Sequence, residues 1–216
     1  SGRYGATLGY KNFDLTQASS SPTDEFGRPS VLWQHLVNGA QANIGTYAID
    51  KSVTYTKAVS EADLYKALGL DGTSKTITVV TDGTSNASYS LDKADETTKL
   101  GGNGALLEGY IDNSGNVTVT IVNTYIGEVV AITAATSSAD RKVTIAGNNY
   151  AAGSFETNDF EREDIVLYTY SNKVGESGVK SATLAEKVTG QLTGYTAGKS
   201  LTVGGNTYSY AAKVDG

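Results

Sequence analysis

Apolar residues return at every second position along most of this chain. In residues 116–122, Val117, Val119 and Ile121 alternate with Thr118 and Thr120, the pattern of a strand with one buried face. The same alternation predicts strands over 52–57, 75–81, 142–146, 164–170, 179–185 and 201–203, filled with the Thr, Val, Ile and Tyr that suit a pleated surface. Turn chemistry separates them at Asp82-Gly83, 113–115, Gly147-Asn148, Gly205-Asn206 and Asn38-Gly39, and both prolines, Pro22 and Pro29, fall outside the strands. Only residues 61–69 switch to a helical period. Ser60 is placed to cap that helix, with Asp63 in a box-like position. Leu64, Ala67 and Leu68 form a narrow apolar face, and Gly69 marks the end.

A unit of strand, turn and strand occurs twice. Gly127-Glu-Val-Val-Ala-Ile-Thr133 leads to Val143-Thr-Ile-Ala-Gly-Asn-Asn-Tyr150, and Gly190-Gln-Leu-Thr-Gly-Tyr-Thr196 leads to Leu201-Thr-Val-Gly-Gly-Asn-Thr-Tyr208. Each copy ends in a tight Gly-Asn turn and a third strand, and the match sets Tyr150 against Tyr208. The expected fold is all-β, as two small β modules of barrel or sandwich type with one short helix in the first. Residues 1–125 form the helix-bearing module. Residues 126–216 form a small barrel or sandwich on the repeated hairpin. With no long linker, Tyr125, Ile126 and Gly127 are the expected hinge.

Composition narrows the function. A net charge of −6 disfavours nucleic acid, which needs a basic footprint. No run of 18 apolar residues exists for direct membrane insertion. Without Cys there is no disulfide, thiolate nucleophile or Cys metal site. His35, the one histidine, follows Trp33 in an alternating segment and reads as an edge-strand residue. A catalytic triad lacks a Gly-x-Ser-x-Gly elbow to support it. Gly102-x-Gly104 is followed by Leu107 where a dinucleotide fingerprint needs glycine. Asp112 to Asn116 resembles a calcium loop, but position 123 is Asn rather than the needed Glu. The chain is therefore expected not to be an enzyme.

Two constellations remain. Glu156, Asp159, Glu161, Glu163 and Asp164 form an acidic cluster whose oxygen ligands suit calcium, the one candidate cofactor. Tyr168 with Tyr170, and Tyr208 with Tyr210, are two same-face pairs able to pack on a protein partner or stack on sugar rings.

The stretch 123–136, Asn-Thr-Tyr-Ile-Gly-Glu-Val-Val-Ala-Ile-Thr-Ala-Ala-Thr, resembles extracellular segments of surface-layer proteins of Gram-positive gut bacteria, the kind carrying surface-layer-homology domains. The likeness continues through 155–168, 181–187 and 200–208, with weaker echoes at 10–14, 24–29 and 101–104. It implies a non-catalytic structural segment of a longer, extracellular cell-surface protein, anchored by domains elsewhere in the parent. Partners would be other copies or neighbouring domains of the same chain. The alternative is an adhesin module whose tyrosine faces bind a glycan or a host protein.

Overall fold

A computed structural model describes residues 23–28, 49–112, 114–147 and 153–211, with Ile49 and Asp50 as backbone only. The fold is all-β with one short helix. Among the described residues the strands are β1 (Ile49–Tyr55), β2 (Val59–Ser60), β3 (Ser74–Thr81), β4 (Thr84–Asp92), β5 (Lys99–Leu100), β6 (Ala105–Asp112), β7 (Val117–Asn123) and β8 (Tyr125–Thr133). They continue as β9 (Lys142–Ala146), β10 (Ser154–Glu156), β11 (Ile165–Ser171), β12 (Gly178–Leu184), β13 (Leu192–Thr196), β14 (Ser200–Val203) and β15 (Asn206–Ser209), and α1 (Glu61–Leu68) is the helix.

The first sheet runs β1-β6-β7-β3-β4, antiparallel except for the parallel β3–β7 pair. Its core joins Ile77, Leu91, Leu107 and Val119 to Leu64, Tyr65 and Leu68 of α1. The Ser60 side chain accepts from Asp63 N at 3.1 Å, and Gly69 closes the helix at φ 68. Such a cap contributes about 1 kcal/mol. A Cβ at Gly109 would lie 3.0 Å from Val53 Cγ2 and 3.2 Å from Leu68 Cδ2, so the helix packs where β6 carries no side chain. That glycine, with the adjacent pair Leu106-Leu107, hides the alternation of β6 from a pattern reading. β4 escapes it for a different reason. It is an edge strand, mostly exposed and rich in Ser, Thr and Asn, held by the Asp82-Gly83 hairpin and not by an apolar face of its own.

Glu61 is buried at the start of α1, where Tyr89 Oη donates to its Oε1 and Asp92 N donates to Oε2 at 2.7 Å. Burial, then the bond to Glu61, pushes the Tyr89 hydroxyl up to about 12 from 10.0. Tyr110 is also raised, by burial and its 2.7 Å bond to Glu108. Below pH 10 both folded and unfolded chains hold the Tyr89 proton, so its contribution to stability is whole. It is lost as pH rises from 10 to about 12, where only the unfolded chain has released the proton. A tyrosine absorbance titration should therefore show late-ionising groups, one of them absent in Tyr89→Phe. A single ionisation step for all the folded protein's tyrosines would refute this contact.

The second sheet runs β10-β9-β8-β11-β12, antiparallel throughout. Its core is separate from the first and contains Tyr125, Val129, Val143, Ile145, Phe160, Val166, Tyr168 and Val179. β13, β14 and β15 form a third sheet of their own.

The repeat is thus split between sheets, yet its pairing is reproduced residue for residue. Val129 faces Ile145 as Leu192 faces Val203, and Ala131 faces Thr144 as Gly194 faces Thr202. Both copies skip one residue between these pairs, Val130 in the first and Thr193 in the second, a β-bulge at the same place. The third strands do not follow the sequence match. Phe155 stands opposite Val143 as Tyr208 stands opposite Leu201. Phe155, not Tyr150, is therefore the counterpart of Tyr208, because the first copy has the longer turn before its third strand. Tyr150 lies outside the described residues.

Candidate functional site

The site with the densest polar chemistry is the junction between the first two sheets. β7 passes into β8 across one residue, Thr124, whose N–H donates to Gly104 O at 2.9 Å. Beside this crossing lies the tip of the β3–β4 hairpin. Asp82 and Gly83 have φ 46 and 81, the left-handed pair required by a tight hairpin turn. This tip is not solvated. The buried Asp82 carboxylate accepts from Asn123 N at 2.8 Å, from Asn123 Nδ2 at 3.0 Å and from the Tyr125 hydroxyl. Its main chain is held too: Asp82 N donates to Ile121 O at 2.9 Å, and Asn172 N donates to Asp82 O at 2.7 Å.

The hairpin tip therefore ties the end of β7, the start of β8 and the end of β11. Ser171, fully buried, donates through Oγ to Glu25 O at 2.5 Å and accepts from Lys173 N at 3.1 Å. A Cβ on Gly83 would clash with Ser171 Oγ and lie 2.8 Å from Glu25 O and 2.9 Å from Lys173 N, so only glycine fits. Residues 23–28 complete the joint. Phe26 is buried, Arg28 lies 5.2 Å over its ring, and Arg28 Nε pairs with Asp24 at 2.6 Å. A buried carboxylate with three donors is held in place by the protein itself, which suits a structural lock.

The three residues expected to form a hinge all lie inside β8, and the break between strands falls at Thr124. Tyr125 is buried with its ring 5.8 Å from that of Tyr168. Gly127 is closely packed: an added Cβ would meet Ile145 Cγ2 at 2.8 Å, Ala146 O at 2.9 Å and Tyr168 Cε1 at 3.0 Å. Ile126 points outward beside Leu167, its partner in register on β11.

The acidic residues are distributed around the turn that leads into β11. Glu161 N donates to Asp164 Oδ2 at 2.8 Å, and Glu163, in the left-handed region at φ 73, donates its N–H to Val129 O at 2.8 Å. Glu156 pairs with Lys142 at 3.2 Å and Glu161 with Arg141 at 3.5 Å, while Asp159 is exposed. Among the described residues no three acidic or metal-ligating side chains converge.

The tyrosines separate sharply. Tyr168 is 1% exposed, within the second core, and Tyr170 is half-buried. Inward alternation along β11 places Tyr168 beneath the sheet, so it offers no surface to a partner, a correction to the expected contact pair. Tyr208 and Tyr210 are exposed. Trp33 and His35 lie outside the described residues. A shallow groove of about 530 Å³ borders α1, lined by Tyr55, Val59, Asp63 and Lys66 among others.

No family model, curated protein or solved structure matches this chain. Among the described residues no helix is long and apolar enough to cross a membrane.

The Asp82 lock was out of reach of sequence reasoning. Asp82-Gly83 signals a turn, but its partners lie 41 and 43 residues away, and no local pattern links them.

Proposed function

We propose that this chain is a non-catalytic structural segment of a bacterial cell-surface protein of the surface-layer kind. It would act through stacked β modules and contacts with neighbouring domains or copies. The observation that carries the reading is the Asp82 junction. Two β cores are joined by one residue and by a buried carboxylate with three donors. A joint of this kind transmits load and orientation between modules, because bending it leaves buried polar groups without partners at about 1–3 kcal/mol each. The recurrence of one hairpin unit with an identical bulge adds the tandem character of an extended coat polypeptide. The resemblance of residues 123–136 and 155–168 to surface-layer segments supports a cell-surface location.

Immunogold labelling of thin-sectioned source cells, with an antibody raised against the folded chain, tests this directly. A dense, continuous coat is the expected result. Sparse patches would favour an adhesin acting through the exposed Tyr208 and Tyr210, and label confined to the cell interior would overturn the reading.

A further inference from the structure

The two copies of the repeated unit share a register but not an environment. In the first copy the inward positions Val129, Ile145 and Val143 are fully buried and Phe155 packs against them. They pack in one core with Val166, Tyr168, Val179 and Ala182 of the hairpin β11–β12, which continues the same sheet beyond β8. The equivalent positions of the second copy are Leu192, Val203, Leu201 and Tyr208. All are apolar, yet Leu192 is 55% and Tyr208 41% exposed, and Leu201 and Val203 are only partly covered. Among the described residues no other element packs broadly on this three-stranded sheet. A sheet so small, with an uncovered apolar face, gains little stability alone.

The edge that would receive a cover is preserved as well. In the first copy β11 pairs with residues 125–128, and the Tyr168 ring lies over Gly127. Gly127 is tight against Ile145 and Ala146. Gly190, its counterpart, is tight against Val203 and Gly204, the matching two positions. Residues 188–191 belong to no strand, and Val188, the counterpart of Tyr125, is 47% exposed.

We propose that the apolar face of β13–β15 binds a two-stranded polypeptide hairpin of the β11–β12 pattern, forming with it a module of the β8–β12 kind. The first strand of that hairpin pairs antiparallel with residues 188–191 and seats an aromatic side chain over Gly190. Its inward positions alternate apolar residues, as Val166 and Tyr168 do in β11. The inference rests on the internal repeat and stands whether or not the chain belongs to a surface coat.

The test adds a synthetic peptide of residues 157–187 to the full chain and follows hydrogen exchange. Exchange across 189–208 should slow by about tenfold or more, and a peptide carrying Tyr168→Asp and Val166→Asp should have no effect. Because an isolated hairpin is marginally stable, the same residues are also joined directly after Ser209, where they are held close to the face. In that fusion, Leu192→Asp should abolish the protection while leaving β8–β12 intact, since Leu192 belongs to neither buried core. Absence of protection in both formats would overturn the proposal. So would a chain that is dimeric by sedimentation, with this face already protected and released by Leu192→Asp; the occupant would then be a second copy.

Discussion

Asp82→Ala is expected to lower the unfolding free energy by about 4 kcal/mol. Three donors lose their acceptor at once: the Asn123 N–H, the Asn123 amide and the Tyr125 hydroxyl. Orphaning a buried polar group costs about 1–3 kcal/mol, and the three share one site, so their costs overlap and do not simply add. Ala is also less tolerant than Asp of the left-handed backbone at φ 46. Tyr125→Phe removes one bond and should cost about 1–1.5 kcal/mol. Urea unfolding of both variants checks the argument. A loss below about 1 kcal/mol for Asp82→Ala would mean that the carboxylate is not the lock. Asp82→Asn suits the turn, but its NH2 replaces one acceptor oxygen and leaves a single oxygen for three donors. It should fall between wild type and Asp82→Ala.

Gly127→Val should destabilise by about 3 kcal/mol, the upper range for overpacking. Ile145 Cγ2 and Tyr168 Cε1 lie within 3.0 Å of the new Cβ, but the decisive neighbour is Ala146 O at 2.9 Å. That atom is backbone in a sheet and has no rotamer through which to withdraw. Two explanations of the glycine are separable here. If residues 125–127 served as a free hinge, Gly127→Val would change the scattering profile and leave the melting temperature in place. If packing decides, the melting temperature falls, and adding Ile145→Ala costs less in Gly127→Val than in wild type, because the two changes share one space. Full additivity of the two substitutions would refute the packing account.

The β class, the capped helix and the turn at Asp82-Gly83 were legible because each depends on neighbours in the chain. Alternation marks strands such as β3 and β7, and a serine three residues before an aspartate marks the helix start. The repeat was legible for the same reason, and pairing confirms it down to the bulge. β6 and β4 were not. One has glycine at a core position where a helix presses close, and the other has no apolar face and is held by its hairpin partner. In the second sheet the acidic residues of 156–164 satisfied a compositional rule for calcium. In the folded chain Glu156 and Glu161 face cations, the Asp164 carboxylate accepts a bond within the turn, and Asp159 and Glu163 face solvent.

Short-range physics is written in neighbouring residues: strand and helix periods, capping, turn type and the existence of two like units. Tertiary structure alone decided which apolar residues of those units are buried. Val129 and Leu192 occupy the same place in the same hairpin, but only Val129 shares a core with a β11–β12 hairpin. It also decided that the turn aspartate would become the junction's anchor. Burial and long-range hydrogen bonding depend on which segments the fold brings together across dozens of residues, and no local pattern encodes that meeting.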